Sequence, residues 1–276
     1  MLPTIKLGDF DVSRLIIGGN PFSGNSHISA EVDEAMEDYY SVENIKKALY
    51  RSEECGINTL QVRGDKHIFR MLREYYNEGG RLKWISQTAS EFRSFEGNIS
   101  QIVKYQPIAI YHHGTRTDAL FKNKEYSEIE NSLKIIRKSG KLVGLATHMP
   151  EVMEYAEEHH WDIDFYMACV HNISKIDRVS SAITGLANAA EPFDDEDREI
   201  MFKTIRSTSK PCLAFKIMGA GRKCESSETV KTAFIEAFAN IKPIDAVIVG
   251  MYQKASDQIF ENTQMVKEIL CMTALR

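Results

Sequence analysis

The sequence predicts one α/β domain that folds as a closed (β/α)8 barrel, the TIM barrel. Eight short apolar, β-branched runs alternate with segments of helical spacing along the 276 residues, a pattern typical of parallel sheets. Barrels of this kind take about 250 residues, and no linker rich in proline or serine divides the chain. Histidines directly follow several of the apolar runs, and parallel barrel strands all end on the catalytic face. An open, doubly wound sheet is the structural alternative.

The predicted strands are short runs rich in Val, Ile, Leu and aromatic residues. In chain order they cover residues 14–17, 58–62, 83–86, 108–111, 142–146, 165–170, 212–217 and 246–249. The segments between them carry apolar residues at helical spacing, as at Val42, Ile45 and Leu49, where Ser41 is a capping candidate and Gly56 follows the end. These predicted helices cover residues 41–55, 67–76, 126–138, 150–159, 195–208, 228–240 and 256–270, with a weak pattern at 97–105.

Two long connections interrupt the alternation. The first follows the first strand, at about residues 18–40, and the second follows the sixth strand, at about residues 171–194. Long loops on the catalytic face of a barrel are often lids or substrate clamps. We expect both to lie at that face, with simple surface insertions as the alternative for both. The second contains the small-residue stretch 180–190.

Composition excludes several classes of protein. A formal net charge of −5 argues against a general nucleic-acid binder, and no apolar run approaches the roughly 18 residues that span a bilayer. The five cysteines form no CxxC pair, so free thiols in a reducing cytoplasm are expected. The sequence predicts a cytoplasmic protein with a small-molecule substrate and neither a nucleic-acid nor a membrane partner; its oligomeric state stays open.

Several stretches resemble landmarks of the aldo/keto reductase superfamily, in that family's order and over nearly the whole chain. The resemblance implies a (β/α)8 barrel preceded by an N-terminal hairpin. The stretches are residues 8–15 (opening hairpin and first strand), 56–59 (start of the second strand), 144–147 (fifth strand), 214–222 (loop of the seventh strand), 245–251 (eighth strand) and 258–262 (helix beside the cofactor adenine).

The resemblance also implies a catalytic Asp, Tyr, Lys and His, and this chain departs from that pattern. Gln61 stands at the Asp position, and Gln87 stands near the Lys position. Lys66 and His67 stand where the Tyr is expected, while the His position is kept as His112. Without the Asp and the Lys, nothing in the pattern lowers the pKa of a phenol for proton donation. We therefore predict that this barrel has left ordinary carbonyl reduction behind.

Three histidines at predicted strand ends form a candidate metal site. His112, His148 and His171 follow the fourth, fifth and sixth strands. Neighbouring strands lie about 4.8 Å apart, so these imidazoles are expected along one arc of the rim. They could bind a divalent metal ion such as zinc, manganese, iron, cobalt or nickel. His113 is expected to face away, because adjacent strand residues point to opposite sides.

Four further side chains are predicted to carry out the proton chemistry. His67 or His27 would remove a proton next to a substrate carbonyl polarised by the metal. Arg63 or Lys216 would steady the resulting enediolate. The hypothesis is a metal-dependent lyase, isomerase or epimerase that acts on a small sugar-like or polyol substrate.

A glycine-containing turn after the seventh strand is a second candidate site, since barrels often bind phosphate there. The resemblance implies that this region held the phosphates and adenine of NAD(P), and it is equally suited to a sugar phosphate. Gln258 replaces an Arg that many relatives carry, which weakens the case for NADP. The residues that would carry over are Gly219, Gly221, Arg222, Ser256, Gln258, Glu261 and Asn262.

Other functions compete with the metalloenzyme. The first is an NAD(P)-dependent oxidoreductase with a rebuilt proton donor, such as His67 or His112. The second is a non-catalytic binding protein, a use that the aldo/keto reductase fold has in ion-channel accessory subunits. The third is an unrelated barrel similar to xylose isomerase, which would share the histidines and carboxylates but not the motifs of the last two strands.

Overall fold

The chain begins with a β-hairpin that closes one end of a barrel. The computed structural model describes residues 2–177, 179, 181–184 and 191–273. Strands β1 (Thr4–Leu7) and β2 (Phe10–Ser13) pair antiparallel, as the resemblance of residues 8–15 predicts. Ile5, Leu7 and Val12 of this hairpin are buried in the same apolar cluster as the barrel interior. The hairpin therefore covers the floor of the barrel, opposite the carboxyl ends of its strands.

Eight parallel strands form the closed barrel that the sequence predicts. Each strand pairs with the next in chain order, and β10 pairs with β3 to close the ring. All eight predicted strands are confirmed, with shifts of one or two residues at their ends. The barrel strands are β3 (Leu15–Gly18), β4 (Thr59–Arg63), β5 (Lys83–Gln87), β6 (Ala109–His112), β7 (Leu142–Thr147), β8 (Phe165–Cys169), β9 (Cys212–Phe215) and β10 (Ala246–Gly250).

The strands are buried on both faces, as parallel strands in barrels are. On β6, Ala109 and Tyr111 belong to the inner cluster, and Ile110 belongs to the outer cluster beneath the helices. Gly144 lies where the interior is crowded, since a Cβ there would come within 2.4 Å of the Phe165 ring. This alternation decides which strand-end side chains reach the cavity described below.

Helices surround the barrel, and each predicted helix is present, including the weak one. Ser41 and Asp65 cap α2 and α3 through side-chain oxygens, and Gly56 ends α2 with φ of 94°, a conformation that glycine adopts without strain. The helices are α1 (Ala30–Tyr39), α2 (Val42–Cys55), α3 (Lys66–Asn77), α4 (Phe95–Val103), α5 (Gly114–Lys122), α6 (Tyr126–Lys138), α7 (Pro150–Glu158), α8 (Ser181–Thr184), α9 (Glu196–Ser207), α10 (Ser227–Asn240) and α11 (Gln258–Thr273).

The two predicted long connections carry structure of their own. The first holds a 3-10 helix (Pro21–Ser23) and α1, whose acidic residues were not predicted to be helical. The second holds a 3-10 helix (Ile173–Lys175) and α8; the rest of the stretch 180–190 lies outside the described residues. Helix α5 was also not predicted.

Two further expectations concern the whole chain. All five cysteines, each within the described part of the chain, are free thiols, as predicted. Among the described residues, none of the helices combines the length and the apolar character that crossing a membrane requires.

Candidate active site

A cavity of about 600 Å³ opens at the carboxyl ends of the barrel strands. Loops after β3 and β9 form one side of it, and it continues outward past β10 to the first turns of α10 and α11. This is the face on which barrel enzymes carry their active sites. The polar side chains that line its inner part are His27, Gln61, Arg63, Gln87, Tyr111, His113, His148 and Lys216.

The register of β6 sends His113, and not His112, into this cavity. Because Tyr111 faces the barrel interior, the next inward position is His113, which lines the cavity and whose Nδ1 lies 3.1 Å from Ser90 Oγ. His112 points outward and is buried beside Phe95. The prediction that His112 faces the site and His113 faces away was therefore wrong: the alternation was right, but its starting residue was misplaced by one.

His112 is held as a neutral, structural imidazole. Its Nδ1 lies 2.8 Å from Thr117 Oγ1, and that hydroxyl donates to the His113 carbonyl. Since the hydroxyl proton is used there, Nδ1 of His112 must be the donor. Burial, aided by the nearby positive charge of Arg116, lowers the pKa of His112 to about 4. The side chain fastens β6 to α5 and takes no part in the cavity.

His148 is the predicted ligand that does line the cavity. It follows β7 directly, and its Nδ1 lies 2.7 Å from Asp118 Oδ2 on α5. A carboxylate can only accept, so Nδ1 carries the proton and Nε2 is the basic nitrogen. The ring also packs edge-on against Phe215, at 5.6 Å between centroids. The result is an imidazole oriented by a buried carboxylate, as in acid–base dyads.

Asp118 is kept ionised by the hydrogen bonds around it. Burial alone would raise its pKa, but hydrogen bonds from His148, Ser174 and Thr147 outweigh burial, and the pKa of Asp118 lies below its usual value. The Ser174 hydroxyl donates at 2.6 Å and the Thr147 hydroxyl at 2.5 Å. Asp118 was not predicted, because nothing in the sequence places a residue of an unpredicted helix beside the end of β7.

His171 is directed away from the cavity by Arg198. Its Nδ1 donates to the Asp194 carbonyl at 3.1 Å, so Nε2 accepts from the Arg198 guanidinium at 3.2 Å. The same guanidinium bonds the Ile217 carbonyl and the Glu236 carboxylate. Burial and the positive charge of Arg198 lower the pKa of His171 to about 4. Both ring nitrogens are thus occupied, and a cation stands where a metal ion would bind.

The three histidines predicted as metal ligands are therefore not brought together. His112 faces outward, His148 faces the cavity, and His171 pairs with a guanidinium. Within the described ranges, no cluster of three or more His, Cys, Asp or Glu side chains is arranged to hold a metal ion. The prediction of a three-histidine metal site was therefore wrong, because only one of the three imidazoles lines the cavity.

Lys216 and His27, both predicted catalytic residues, are brought together on the opposite rim. Lys216 Nζ lies 2.9 Å from His27 Nε2, and His27 Nδ1 lies 2.6 Å from Glu191 Oε2. The side chains are 7%, 10% and 3% exposed, in the order Lys216, His27, Glu191. Because ammonium donates and carboxylate accepts, the neutral imidazole relays between them. Glu191 was missed, since it lies in a long loop without a motif.

The backbone is strained where these two residues meet. Lys216 and His27 both have φ of 60°, a left-handed conformation that is uncommon for residues other than glycine. Arg222 supports the arrangement: its guanidinium packs 4.0 Å from the Phe193 ring centroid and donates to the His27 carbonyl. Such strained conformations persist only where the surrounding contacts outweigh their cost, and they are concentrated at functional sites.

Arg63 and His67 differ in their relation to the cavity. Arg63 lines it, with its guanidinium bonded to Asp65 and Glu91. His67 does not line it. The ring lies on the first turn of α3, which begins after the Asp65 cap, and its Nε2 donates to the Phe22 carbonyl at 3.3 Å. The prediction of His67 as a base is therefore not supported by its position.

An uncharged network forms the floor of the cavity. Gln61 Nε2 donates to the Tyr111 hydroxyl at 2.6 Å, and that hydroxyl donates to Gln87 Oε1 at 2.9 Å. Burial raises the pKa of Tyr111 well above its usual value. Gln61 and Gln87 hold the places where the resemblance puts an Asp and a Lys. The phenol between them is therefore locked as a neutral hydroxyl and is not poised to give up its proton.

The outer part of the cavity includes most of the predicted cofactor-binding residues. Gly221, Ser256, Gln258, Glu261 and Asn262 line it. Of the described residues that line this outer part, Glu261 carries the one charge, and it is negative. Hydroxyl, amide and carboxylate groups suit a ribose and an adenine, whereas a 2′-phosphate would need a cation.

Gly219 and Arg222, the other two predicted cofactor residues, are used within the protein. Gly219 takes a left-handed φ of 56° in the turn beside His171. The Arg222 guanidinium is committed to Phe193 and to the carbonyls of His27 and Gly219. Neither lines the cavity, so their predicted role in phosphate binding gains no support from their positions.

Comparison with known proteins bears on the fold. No protein-family model matches the chain, and no curated protein matches it. Among solved structures, the chain is similar to an aldo-keto reductase from Bacillus halodurans in its holo form, with a TM-score of 0.63, 11% identity, and coverage of 97% of this chain and 91% of that one.

Two further solved structures carry other chemistries. The truncated 3-deoxy-D-arabino-heptulosonate 7-phosphate synthase from Thermotoga maritima gives a TM-score of 0.57 at 16% identity, over 99% of this chain and 93% of that one. The N-acetylmannosamine-6-phosphate 2-epimerase from Clostridium perfringens gives 0.51 at 11% identity, over 95% and 93%. Likeness at such identities concerns the fold. The chain is a closed (β/α)8 barrel whose fold is similar to that of aldo-keto reductases.

Proposed function

We propose that this protein is an acid–base enzyme, an isomerase, epimerase or lyase, that moves a proton on the carbon next to a carbonyl group of a small sugar-like or polyol substrate. The observation that carries the proposal is the pair formed by His148 and Asp118 at the rim of the cavity. The carboxylate fixes the protonated nitrogen of the imidazole and leaves Nε2 as its basic nitrogen. A general base of this kind contributes roughly 10²- to 10⁴-fold to a rate.

The opposite rim supplies the positive charge that such chemistry needs. Removal of the proton leaves an enediolate, whose oxygen develops negative charge. Lys216 lines the same cavity as His148 and is a nearby donor to that oxygen. Arg63 also lines it but is shared with two carboxylates, so Lys216 is the better candidate for this role.

The cavity floor favours a hydroxylated substrate over an apolar one. The amides of Gln61 and Gln87 and the hydroxyl of Tyr111 are neutral groups that both donate and accept. His113 adds a further polar group on the rim. Among the similar structures, one is an epimerase and one a synthase of sugar-related phosphates by their names, which agrees with this choice.

The proposed reaction is also tested for dependence on a divalent metal ion, although the three histidines predicted as ligands do not come together. His148 is the one member of that set on the cavity, and its Nε2 cannot both bind a metal ion and accept a proton, so a metal ion would act only in place of the proposed base. The assays below are therefore run with chelator and with added zinc or manganese.

The test is exchange of carbon-bound hydrogen with solvent. The protein is incubated in D₂O with a panel of aldoses and ketoses of three to six carbons, and loss of the α-proton signal is followed by NMR. We expect exchange with at least one member, slowed about a hundredfold or more in His148→Ala. A panel in which no compound exchanges faster with the wild type than with His148→Ala would overturn the proposal.

The second candidate is NAD-dependent oxidation or reduction, favoured by one observation: the cavity continues to Ser256, Gln258, Glu261 and Asn262. These side chains would hold the ribose and adenine, and bound NAD would supply a hydride acceptor or donor. His148, on the rim, would move the accompanying proton. Titration with NADH and NADPH, followed by nucleotide fluorescence, tests this candidate. We expect the protein to bind NADH more tightly than NADPH. Glu261→Gln should reduce this difference in affinity. If neither nucleotide binds, the candidate is excluded.

A further inference from the structure

We propose that Lys216 is a nucleophile that condenses with the carbonyl carbon of the substrate to form a protonated imine, a Schiff base. The inference rests on the proposed function and deepens it, since the substrate class becomes aldehydes and ketones that are held covalently. Lys216 then bonds the carbonyl carbon instead of donating to the enediolate oxygen. It follows from the arrangement of Lys216, His27 and Glu191 on the rim of the cavity.

The arrangement provides the amine with its own base. A lysine ammonium must lose a proton before it can attack, and His27 Nε2 lies 2.9 Å from Nζ, in position to accept that proton. The imidazolium that results is stabilised by Glu191, whose carboxylate lies 2.6 Å from Nδ1. Nucleophile, base and orienting carboxylate thus form a chain of the kind that activates nucleophiles in enzymes.

The surroundings favour transfer of the proton from lysine to histidine. Lys216 Nζ lies 5.4 Å from the centroid of the Phe193 ring, and the Arg222 guanidinium packs 4.0 Å from the same centroid. Arg222 also donates to the His27 carbonyl, so its positive charge lies near both groups, and the preference between them rests on Glu191. Glu191 lies closer to His27, at 2.6 Å, than to Lys216, at 3.8 Å, so it stabilises the imidazolium more strongly.

The condensation balances in atoms and charge. The ammonium of Lys216 passes one proton to His27, and the free amine adds to the substrate carbonyl, forming the C–N bond. His27 returns the proton to the oxygen, a second proton moves from nitrogen to oxygen, and water leaves. One ammonium and one carbonyl thus give one protonated imine and one water, with no oxidant, reductant or other reactant.

The imine explains how the site can acidify a carbon-bound proton. Its positive nitrogen accepts the electron pair released when His148 removes the α-proton, giving an enamine. Barrel strands β7 and β9 are separated by β8, so their ends lie about 10 Å apart. That span suits a small substrate with its carbonyl carbon at Lys216 and its adjacent carbon facing His148.

The first experiment uses acetylacetone, a small diketone that condenses with an activated amine whether or not it resembles the substrate. The enaminone product is followed by its absorbance and located by peptide mass spectrometry. We expect Lys216 to react at least about tenfold faster than the exposed Lys47. We further expect His27→Asn to slow the reaction about a hundredfold, since it removes the base, and Lys216→Arg to abolish it. Asn tolerates the left-handed backbone at position 27.

The second experiment traps the imine with borohydride in the presence of dihydroxyacetone, glyceraldehyde or pyruvate. A stable adduct on Lys216 supports the proposal. Reaction of Lys216 no faster than Lys47, with no borohydride adduct, in a protein whose circular dichroism is unchanged, overturns it.

The experiments distinguish failure of the proposed acid–base function from failure of the proposed Schiff base. Proton exchange in D₂O without modification of Lys216 would retain the acid–base function and reject the Schiff base. Modification of Lys216 without exchange would retain the nucleophile and reject the function proposed for His148. His148→Ala is expected to lose exchange and keep the enaminone reaction.

Discussion

Asp118 and His148 are joined by a 2.7 Å hydrogen bond between Oδ2 and Nδ1, although one lies on α5 and the other directly follows β7. The carboxylate also accepts from the hydroxyls of Thr147 and Ser174. Three side-chain donors and the His148 backbone N–H therefore fix one carboxylate, which in turn fixes the imidazole on the rim of the cavity. The orientation of the proposed base is built into the packing of α5 against the barrel.

Asp118→Asn is expected to shift the proton of His148 from Nδ1 to Nε2. The carboxamide has one acceptor oxygen where the carboxylate has two. With that oxygen accepting from the Thr147 hydroxyl and the His148 backbone N–H, the NH₂ group faces the imidazole, whose nitrogen must then accept. Nitrogen-15 NMR of the imidazole measures this directly. Exchange of substrate protons is expected to fall about a hundredfold or more. The control is Asp177→Asn, an exposed carboxylate; an unchanged tautomer in Asp118→Asn would contradict the prediction.

The unfolding free energy is expected to fall as the pH drops from about 7 to about 5. His112 and His171 have pKa values of about 4 in the fold, against an ordinary value of 6.5 for histidine. The unfolded chain therefore binds more protons across the window between about 4 and 6.5, and stability decreases as the pH falls through it. At about pH 5 the loss is roughly 2 kcal/mol for each histidine.

Urea denaturation at several pH values measures this dependence. His112→Asn and His171→Asn should each be less stable near pH 7, but should lose less stability on acidification than the wild type does. His160→Asn, at an exposed position, serves as the control and should keep the wild-type slope. If the unfolding free energy changes equally with pH in all four proteins, His112 and His171 do not cause the loss of stability.

Tyr111→Phe is expected to lower stability without abolishing activity. The substitution leaves Gln61 Nε2 and Gln87 Oε1 without their shared hydroxyl, which costs about 1 to 3 kcal/mol for buried polar groups. The phenol does not donate a proton in the proposed chemistry, so deuterium exchange should stay within about tenfold of the wild type. Loss of exchange as complete as in His148→Ala would show that Tyr111 is a proton donor after all.

Paired substitutions of adjacent histidines test the register of β6. His113→Asn changes a side chain on the cavity and is expected to weaken substrate binding or exchange. His112→Asn changes a buried residue that bonds Thr117 and is expected to lower the melting temperature while leaving exchange nearly intact. Thermal denaturation and the D₂O assay, run on both variants, distinguish the two. The reverse pattern would place His112 in the site.

Much of the barrel was predictable because each strand is a short apolar run and each helix has its own apolar face. Residues 83–86 and 246–249, for example, match β5 and β10 to within a residue. Helix α5 was not predicted because it carries mixed residues, including Thr115 and Asp118, that suit a loop equally well. Asp118, the carboxylate that orients His148, was therefore not recognised as part of the site.

The site was predictable only where a residue follows a strand in the correct register. His148 and Lys216 do so, and both line the cavity. The choice between His112 and His113 depended on a register that one residue inverts, and the pattern of β6 does not fix it. Glu191 and Arg198 act through contacts between distant segments, and a single sequence carries no signal of such contacts.

The uncharged floor of the cavity constrains how this barrel could change its chemistry. Converting Gln61 and Gln87 to the Asp and Lys of ordinary aldo/keto reductases requires two substitutions. Either one alone would place a charge without its partner beside the buried Tyr111 hydroxyl, which is energetically costly. The effect of each substitution therefore depends on whether the other is already present. A return to the reductase pattern would also need a tyrosine near Lys66 and His67.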